Sequence, residues 1–437
     1  MSACSRVVLT QMLNVFLTMV GAGIVSLPLA MRASSLYIGC VSLFLAGLAC
    51  CLSMHLCAWL ARRPLCQTPS NKNAPLLNTG FESTYDVDLL QRADAPSKVL
   101  QSYDEIITTY LPPWGSTLGN STIVILLLFV LALFVDVAHD SITATAESSN
   151  YAHGYPLRAG ICFLMCIFSF PAKLESLKYT SAFGFLSLTY LLGVIVYRCS
   201  QRVDEPDWRM PIDVPAATLT GVAFAATTQL GAFSAVFNTV AAQAELPENH
   251  QRKGHGSCIP LTAAGIALIF YTAFGICGYL TLNGNPPRDI LTGFSNTDEL
   301  MSGARVAICL VSIFKAPLIA NPLKQVLHHS LPNCLPKSDL MRTMMVTPLL
   351  YLTAFGIASL MPDPSIVMGY VSAFGVNMTM FIIPGFCLRS AGTMEKSVWM
   401  RAGGWCLSLF GVLVMAGGLF ATIEFKDSSL VLAPSPS

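Results

Sequence analysis

The sequence predicts an all-α integral membrane protein of about 11 transmembrane helices, built as a five-plus-five inverted repeat with broken helices 1 and 6, plus one extra helix. Three observations predict this class. The composition is 54% hydrophobic and only 11% charged, against roughly 25% charged residues in soluble domains. Long apolar stretches recur along the whole chain. Two of them, five stretches apart, contain residues that weaken a helix.

Eleven stretches reach or approach the roughly 20 apolar residues that cross the hydrocarbon core of a bilayer. We number them as spans one to eleven, at about 7–30, 36–61, 119–142, 155–171, 179–198, 217–242, 258–283, 303–325, 343–361, 365–388 and 399–423. A polar stretch between spans two and three, 62–100, predicts a mobile cytoplasmic loop. The whole chain, 1–437, is expected to form a single transmembrane domain.

The distribution of Lys and Arg predicts the orientation of the chain. With the N-terminus in the cytoplasm, these residues favour the inner segments by two to one. We therefore expect a multi-pass protein in the lipid bilayer, by default in the plasma membrane. The stretch DVDLL (86–90) resembles an acidic dileucine sorting signal, which keeps an endosomal or lysosomal membrane as the alternative. A net charge of +1 gives no reason to expect a nucleic acid partner.

The cysteines and histidines predict neither a metal site nor a cofactor. Fifteen cysteines are scattered, mostly through apolar runs and without a CxxC pair, which favours packing roles. HGSC at 255–258 and the His pair at 328–329 are isolated. The sequence has no HExxH, GxSxG or paired-carboxylate motif, so it does not predict an enzyme.

Span one contains two glycines and a proline in the stretch VGAGIVSLP, residues 20–28. Gly21 and Gly23 let a helix unwind, and Pro28 can start a second half-helix because its missing N–H costs nothing there. Span six is unusually polar and carries Gly231 near its middle. Irregular backbone at membrane depth is stable only around a cavity or inside protein. The two spans together predict a mid-membrane substrate site; the alternative is that Gly-x-Gly only allows close helix packing.

The two broken helices also predict the chemistry of the substrate. Freed N–H groups of span one suit a carboxylate, and freed carbonyls of span six suit an ammonium, so a zwitterionic amino acid satisfies both. Spans one and six carry no charge near their breaks, which favours a neutral side chain. The residues expected to bind substrate are Gly21, Ala22, Gly23, Ile24, Gly231, Ala232, Phe233, Ser234 and Asn238.

Further stretches follow VGAGIVSLP in a characteristic order: SYDEI (102–106), GAFSAVFNTVAAQAEL (231–246), YTAFGICGYLTLNGNPPRDIL (271–291), KAPLIANPLKQV (315–326) and FIIPGFCL (381–388). From about residue 8 to 423, excluding 62–100, the chain resembles the amino acid/auxin permease family. That family belongs to the amino acid–polyamine–organocation group. The resemblance implies 11 spans and secondary transport of amino acids, coupled to protons or sodium in many members and uncoupled in others.

Lys315 lies in the middle of span eight, where a charge costs at least a few kcal/mol. By the resemblance, it takes the position of a Thr or Ser that helps to hold sodium in sodium-coupled relatives. Leu17 stands where the family pattern places a sodium-binding Asn, and Asn14 matches another polar position. We therefore predict sodium-independent transport, with H+ as the candidate coupling ion and with Lys315 and Asn14 in the coupling site. The alternatives are that Lys315 snorkels toward an interface or makes a static structural pair.

Span three carries Asp136, His139 and Asp140 in its outer half. One interpretation places all three just outside the hydrocarbon. In the other, Asp136 or Asp140 belongs to the coupling site and pairs with Lys315, or receives a cationic substrate side chain. The second interpretation keeps arginine and lysine as candidate substrates. Glu245 is expected to be solvated or interfacial at the inner end of span six, with gating as its second interpretation.

These patterns predict a secondary active transporter that moves amino acids across a membrane by alternating access. The alternative function is an amino-acid-sensing receptor with the same fold and little transport. Such receptors often engage partners through an extended terminus, and here only the 62–100 loop is long enough to serve.

Overall fold

The computed structural model describes residues 3–63, 100–145, 155–170, 178–206, 208, 218–246, 258–295, 297–330, 338–360 and 364–427. Every regular element among these residues is helical, as the sequence predicts. Nine of the described helices are long and apolar enough to cross a membrane, and a bent helix pair makes a tenth. The shorter apolar helix Tyr155–Phe168 occupies the position of span four. Helices therefore occupy all eleven predicted span positions.

Eight spans are single helices. They are Leu36–Arg62 (span two), Pro113–Thr145 (span three), Tyr155–Phe168 (span four), Lys178–Val203 (span five), Cys258–Thr281 (span seven), Glu299–Ser330 (span eight), Asp339–Leu360 (span nine) and Val398–Asp427 (span eleven). The apolar stretches of spans eight, ten and three are 83%, 72% and 61% buried, against 28% for span eleven. Spans three, eight and ten therefore form the centre of the bundle, and span eleven lies at its edge.

Span one is broken where the sequence predicts it. The helix Ala3–Met19 ends before the glycines, a 3-10 turn runs over Ala22–Ser26, and a second helix spans Leu27–Ser34. The two halves are bent by 46°. Pro28 lies in the first turn of the second half, where no backbone N–H is required.

Span six is also interrupted, into Leu219–Ala232 and Val236–Ala244. The Thr218 side chain caps the first half, because its Oγ1 accepts from the Gly221 N–H at 3.0 Å. Three non-helical residues, 233–235, separate the halves. The prediction of broken helices 1 and 6 is confirmed.

Span ten departs from a regular α-helix, which the sequence analysis did not predict. It runs from Pro364–Tyr370 through π-helical turns at Val371–Val376 and Met378–Ile382 into Ile383–Met394. Such wide turns are rare and occur frequently at functional sites. Span eight contains Pro317 and Pro322, which lack the N–H groups that would bond the carbonyls four residues earlier.

The segment between spans two and three is described only at its ends. The N–H of Leu100 donates to the carbonyl of Ala61 at 2.9 Å, so the two ends meet. A short helix, Tyr103–Tyr110, follows, and the Tyr103 hydroxyl donates to the Thr379 carbonyl at 2.6 Å. The dileucine-like stretch 86–90 lies outside the described residues.

Candidate functional site

A cavity of about 90 Å³ lies where both broken helices meet spans three, eight and ten. One wall comes from span three and is wholly apolar: Leu126, Leu127, Val130, Leu133, Phe134 and Val137. The polar side chains that line the cavity are Thr18, Ser234, Lys315, Ser372 and Thr379. Asp and Glu are absent from the described lining, so Lys315 supplies its only formal charge.

The break in span one leaves backbone groups free next to the cavity. In an unbroken helix the Met19 carbonyl would accept from the N–H of Gly23. Here the Lys315 Nζ donates to that carbonyl at 3.4 Å. The N–H groups that open the Ala22–Ser26 turn have no acceptor within it, because the first turn of any helix lacks one.

Gly21 and Gly23 allow two side chains to approach the broken segment closely. A Cβ on Gly21 would lie 2.6 Å from the Cδ of Lys315, and a Cβ on Gly23 would lie 2.5 Å from the Cε of Met368. The Lys315 side chain is only 7% exposed, and its Nζ lies 5.3 Å from the centre of the Phe134 ring. Both glycines therefore make room for side chains of spans eight and ten.

Two carbonyls at the break in span six are contacted by side chains of neighbouring helices. The Tyr271 hydroxyl donates to the Ala232 carbonyl at 2.7 Å, and the Cys50 thiol lies 3.7 Å from the Leu230 carbonyl. Gly231 faces span ten, because a Cβ added at Gly231 would lie 2.8 Å from the Cβ of Ser372. Gly231, Ala232 and Ser234 line the cavity.

Other residues predicted to bind substrate lie beside the cavity rather than in its lining. The Phe233 ring packs edge-on against Tyr271 with centroids 4.9 Å apart, and Ile24 is 1% exposed within the core. Asn238 joins two helices: its Nδ2 donates to the Thr18 Oγ1 at 2.7 Å and to the Leu318 carbonyl at 2.8 Å. That carbonyl lacks a helical donor because Pro322 has no N–H.

The predicted coupling residues are divided between two places. Asn14 lies in the core, where its Oδ1 accepts from the Ser181 hydroxyl at 2.6 Å. Asp136 pairs with Arg158 of span four at 3.1 Å rather than with Lys315, and its side chain is 2% exposed. Asp140 is 57% exposed and lies 3.1 Å from His139. Neither aspartate lines the cavity.

Span ten supplies cavity residues that the sequence analysis missed, above all Met368, Ser372 and Thr379. The available signal was the polar series Ser372, Asn377 and Thr379 within an apolar span. In the part of the chain that the structure describes, no three His, Cys, Asp or Glu side chains are grouped closely enough to hold a metal ion.

Comparisons with known proteins agree with this architecture. Vacuolar amino acid transporter 5 of Schizosaccharomyces pombe is 23% identical over 386 residues, which cover 86% of this chain and 82% of the relative. Sodium-coupled neutral amino acid transporter 7 of Xenopus laevis is 24% identical over 262 residues, 58% of this chain and 56% of the relative. Vacuolar amino acid transporter 6 of Saccharomyces cerevisiae is 29% identical over 184 residues, 39% and 38%.

Two solved structures show the fold. Mhp1, a nucleobase-cation-symport-1 family transporter in a closed conformation, superposes with a TM-score of 0.57 at 10% identity, covering 95% of this chain and 92% of that one. MhsT in complex with L-phenylalanine gives a TM-score of 0.57 at 11% identity, with coverages of 95% and 98%. The five-plus-five inverted-repeat fold is therefore confirmed, with span eleven as the extra helix. Residues 80–424 match the family described as transmembrane amino acid transporter protein, and the chain belongs to that family.

Proposed function

We propose that this protein is a secondary active transporter that moves neutral amino acids by alternating access, without sodium and coupled to protons. The observation that carries the proposal is the position of Lys315. Its Nζ reaches the carbonyl freed by the break in span one, so a protein-borne cation stands beside the unwound backbone. A lysine offers a charge that sodium supplies in other transporters, and it can also bind and release a proton.

The substrate backbone would be held by the two breaks. The free N–H groups near Gly21 and Gly23 suit the carboxylate, and the Lys315 ammonium adds charge to that side. A carboxylate beside the ammonium stabilises its protonated form. Substrate binding and proton binding would therefore favour each other, as reciprocal linkage requires.

The apolar wall of span three supports a neutral substrate side chain. The described lining offers no carboxylate to a lysine or arginine substrate, and Asp136 is already paired with Arg158. A cationic side chain would enter without a counter-charge, which is costly in a low-dielectric site. The name of the Xenopus laevis relative also specifies neutral amino acids.

Leu17 supports independence from sodium. It is fully buried, and a Cβ on Gly184 of span five would lie 2.8 Å from its Cδ2. Leu17 therefore fills its space with methyl groups and offers no oxygen ligand to a hard cation. Sodium dependence is the competing outcome, because the name of that same relative includes sodium coupling.

Uptake of labelled neutral, cationic and acidic amino acids into proteoliposomes tests the proposal. Each substrate is measured with and without sodium, and with and without an inward proton gradient. We expect neutral amino acids to enter without sodium and to be stimulated by protons. Lys315→Met, which keeps side-chain length without charge, should remove the proton stimulation. Strict sodium dependence would contradict the coupling, and binding without uptake would contradict transport.

We further propose that the protein resides in an acidic endomembrane compartment with its N-terminus in the cytoplasm. Two relatives are named vacuolar transporters, and the proton gradient of such a compartment would drive export to the cytoplasm. Fluorescence microscopy of a tagged chain against organelle markers tests the location. Protease protection of the N-terminal tag tests the orientation, and residence at the plasma membrane would contradict the first part.

A further inference from the structure

A chain of buried hydrogen bonds leads from the cavity to the end of span six. Thr18 lines the cavity, and its hydroxyl donates to the carbonyl of Asn14 at 2.8 Å. The Asn14 side chain donates to Gln11 at 3.4 Å. The Gln11 amide then donates to the carboxylate of Glu245 at 2.8 Å. The series therefore connects the residue next to Met19, which Lys315 contacts, with a carboxylate after the last turn of span six.

Gln11, Asn14 and Thr18, the first three residues of this hydrogen-bonded series, are deeply buried between spans one, five and six. Gln11 and Asn14 are 0% exposed, and Thr18 is 5% exposed. Asn238 extends the series sideways by donating to Thr18. Polar side chains inside a membrane protein are costly, and they commonly mark ion pathways and proton relays. A packing role alone would be served better by apolar residues.

Several polar atoms beside the series have no hydrogen-bond partner among the described residues. The Asn238 Oδ1 is buried without a hydrogen bond, as are both polar side-chain atoms of Asn321. Asn321 lies one turn beyond Leu318, whose carbonyl Asn238 contacts. Buried polar groups without protein partners are normally satisfied by ordered water. Water bound to the Asn238 Oδ1 would lie beside Thr18 and the Leu318 carbonyl, and Leu318 follows Lys315 by about one helical turn.

We propose that Glu245 accepts the coupling proton released from the cavity; the proposal rests on the proton coupling proposed above. Amides and hydroxyls order water but are not proton acceptors, whereas a carboxylate oxygen can accept a proton and form an O–H bond. An N–H bond of the Lys315 ammonium breaks, water passes the proton along the series, and an O–H bond forms on Glu245. Lys315 is left as a neutral amine, and Glu245 then releases the proton to the solution.

Other titratable groups lie on the helices around Glu245. In the described residues, Asp104 pairs with His329 of span eight, and Glu105 accepts from the Gln101 N–H at 2.7 Å. Lys324 donates to the Ser169 carbonyl at 2.7 Å. Further titratable side chains on these helices are His55 and Arg62 on span two, His328 on span eight and Arg342 on span nine. The hydrogen bonds that lead from the cavity through Asn14 and Gln11 reach Glu245.

Glu245→Gln distinguishes between two roles of Glu245: accepting a proton, and only holding the hydrogen bond from Gln11. Gln keeps an oxygen that accepts from Gln11 but cannot take up a proton, whereas Glu245→Asp keeps the carboxylate. We expect the rate of proton-driven uptake by Glu245→Gln to be about tenfold below that of the wild type. The rate at which external labelled amino acid exchanges for unlabelled amino acid inside the proteoliposomes should stay within about twofold of the wild-type rate. Glu245→Asp should recover most of the proton-driven uptake. A pH-sensitive dye inside the proteoliposomes should report substrate-dependent proton entry for the wild type and for Glu245→Asp only.

Three outcomes would overturn the inference. If Glu245→Gln shows proton-driven uptake at the wild-type rate, Glu245 is not the proton acceptor. Equal losses of exchange and proton-driven uptake in Glu245→Gln, with an unchanged melting temperature, assign it to gating instead. A wild-type protein that exchanges amino acids without any proton stimulation overturns the proposed coupling itself, and this inference with it.

Discussion

The two broken helices differ in how their freed backbone groups are used. In span six, Tyr271 and the Cys50 thiol already contact the freed carbonyls. In span one, the Met19 carbonyl has a single long contact from Lys315 at 3.4 Å. Both repeats therefore contain a helix that is interrupted near glycine. Neighbouring side chains hold the backbone at the span-six break, whereas the backbone at the span-one break contacts the flexible, charged side chain of Lys315.

This difference indicates a division of work between the repeats. A carbonyl that accepts a buried hydroxyl is costly to expose, so the span-six break resists rearrangement. At the span-one break the closest neighbours of the glycines are the ends of two long, flexible side chains, Lys315 and Met368, which can move. We expect substitutions at the span-one break to lower transport more than those at the span-six break, and loss of the contacts to the span-six carbonyls to lower stability more than transport.

The largest effect is expected from Gly21→Ala. Gly21 has φ −142° and ψ −155°, an extended backbone that alanine adopts readily, so the effect is purely steric. The new Cβ would collide with the Lys315 side chain, 2.6 Å from its Cδ. Because the end of a flexible side chain can shift at little cost to folding, we expect the Lys315 ammonium to lose its contact with the Met19 carbonyl. Uptake should then fall about tenfold, the equivalent of about 1.4 kcal/mol. Gly193→Ala in span five, with no atom near its Cβ, is the matched control and should transport normally.

A smaller effect is expected from Gly231→Ala, which brings a Cβ within 2.8 Å of the Ser372 Cβ. We expect uptake to fall several-fold, and Ser372→Gly in the same chain to restore most of it, since that change removes the obstructing atoms. The double-mutant cycle is measured by initial uptake rates. Failure of Ser372→Gly to rescue would show that the glycine is required for its backbone and not for its contact with span ten.

Tyr271→Phe should affect stability without much effect on transport. The variant leaves the Ala232 carbonyl buried and unpaired, at a cost of about 1–3 kcal/mol. We expect a melting temperature lower by several degrees and uptake within about twofold of the wild type. Cys50→Ala, which removes only a long thiol contact, should lower the melting temperature less. A tenfold loss of uptake by Tyr271→Phe at unchanged stability would contradict the division of work.

The smallest effect concerns the loop that covers the second half of span one. Ile290 and Pro28 both approach Gly278, and Asp289 accepts from the Leu291 N–H at 2.8 Å. Burial raises the pKa of Asp289 to about 6, although that hydrogen bond and Arg305 oppose the shift.

Because the folded protein holds this proton more tightly than the unfolded chain, stability should fall as pH rises from about 4 to 6. Asp289→Asn should flatten that part of the profile by a few degrees at most. Melting temperatures between pH 4 and 7.5 check this; identical profiles for the two proteins would contradict it.

The sequence predicted much of the fold because a helix that crosses the bilayer needs a long stretch of apolar residues, which is visible in the composition. Span length, the glycines of span one and the polarity of span six identify the breaks without any contact information. The partners of Asp136 and of the Ala232 carbonyl could not be predicted in this way. Arg158 and Tyr271 belong to other helices, and which of several polar residues meets a buried group depends on how the helices rotate and pack.

The side chains at the breaks show the same limit. Phe233 and Gly231 are two residues apart, yet one packs away from the cavity and the other lines it. An interrupted helix has no fixed periodicity, so spacing alone does not assign faces there. The cavity residues of span ten were missed for a related reason, because π-helical and α-helical turns share the same apolar composition and spacing alone does not tell them apart.

The wide turns of span ten decide which of its side chains reach the cavity. Bonds from residue i to i+5 enclose one more residue than bonds to i+4, so each wide turn shifts the preceding side chains around the helix axis relative to the following ones. Each residue of an α-helix advances the chain by about 100°. Deleting one residue within Val371–Val376 or Met378–Ile382 would therefore turn Met368 by about 100° relative to Ile383–Met394 and away from the face that it now presents. The shape of the cavity thus depends on a length difference in the chain as well as on the identity of its residues.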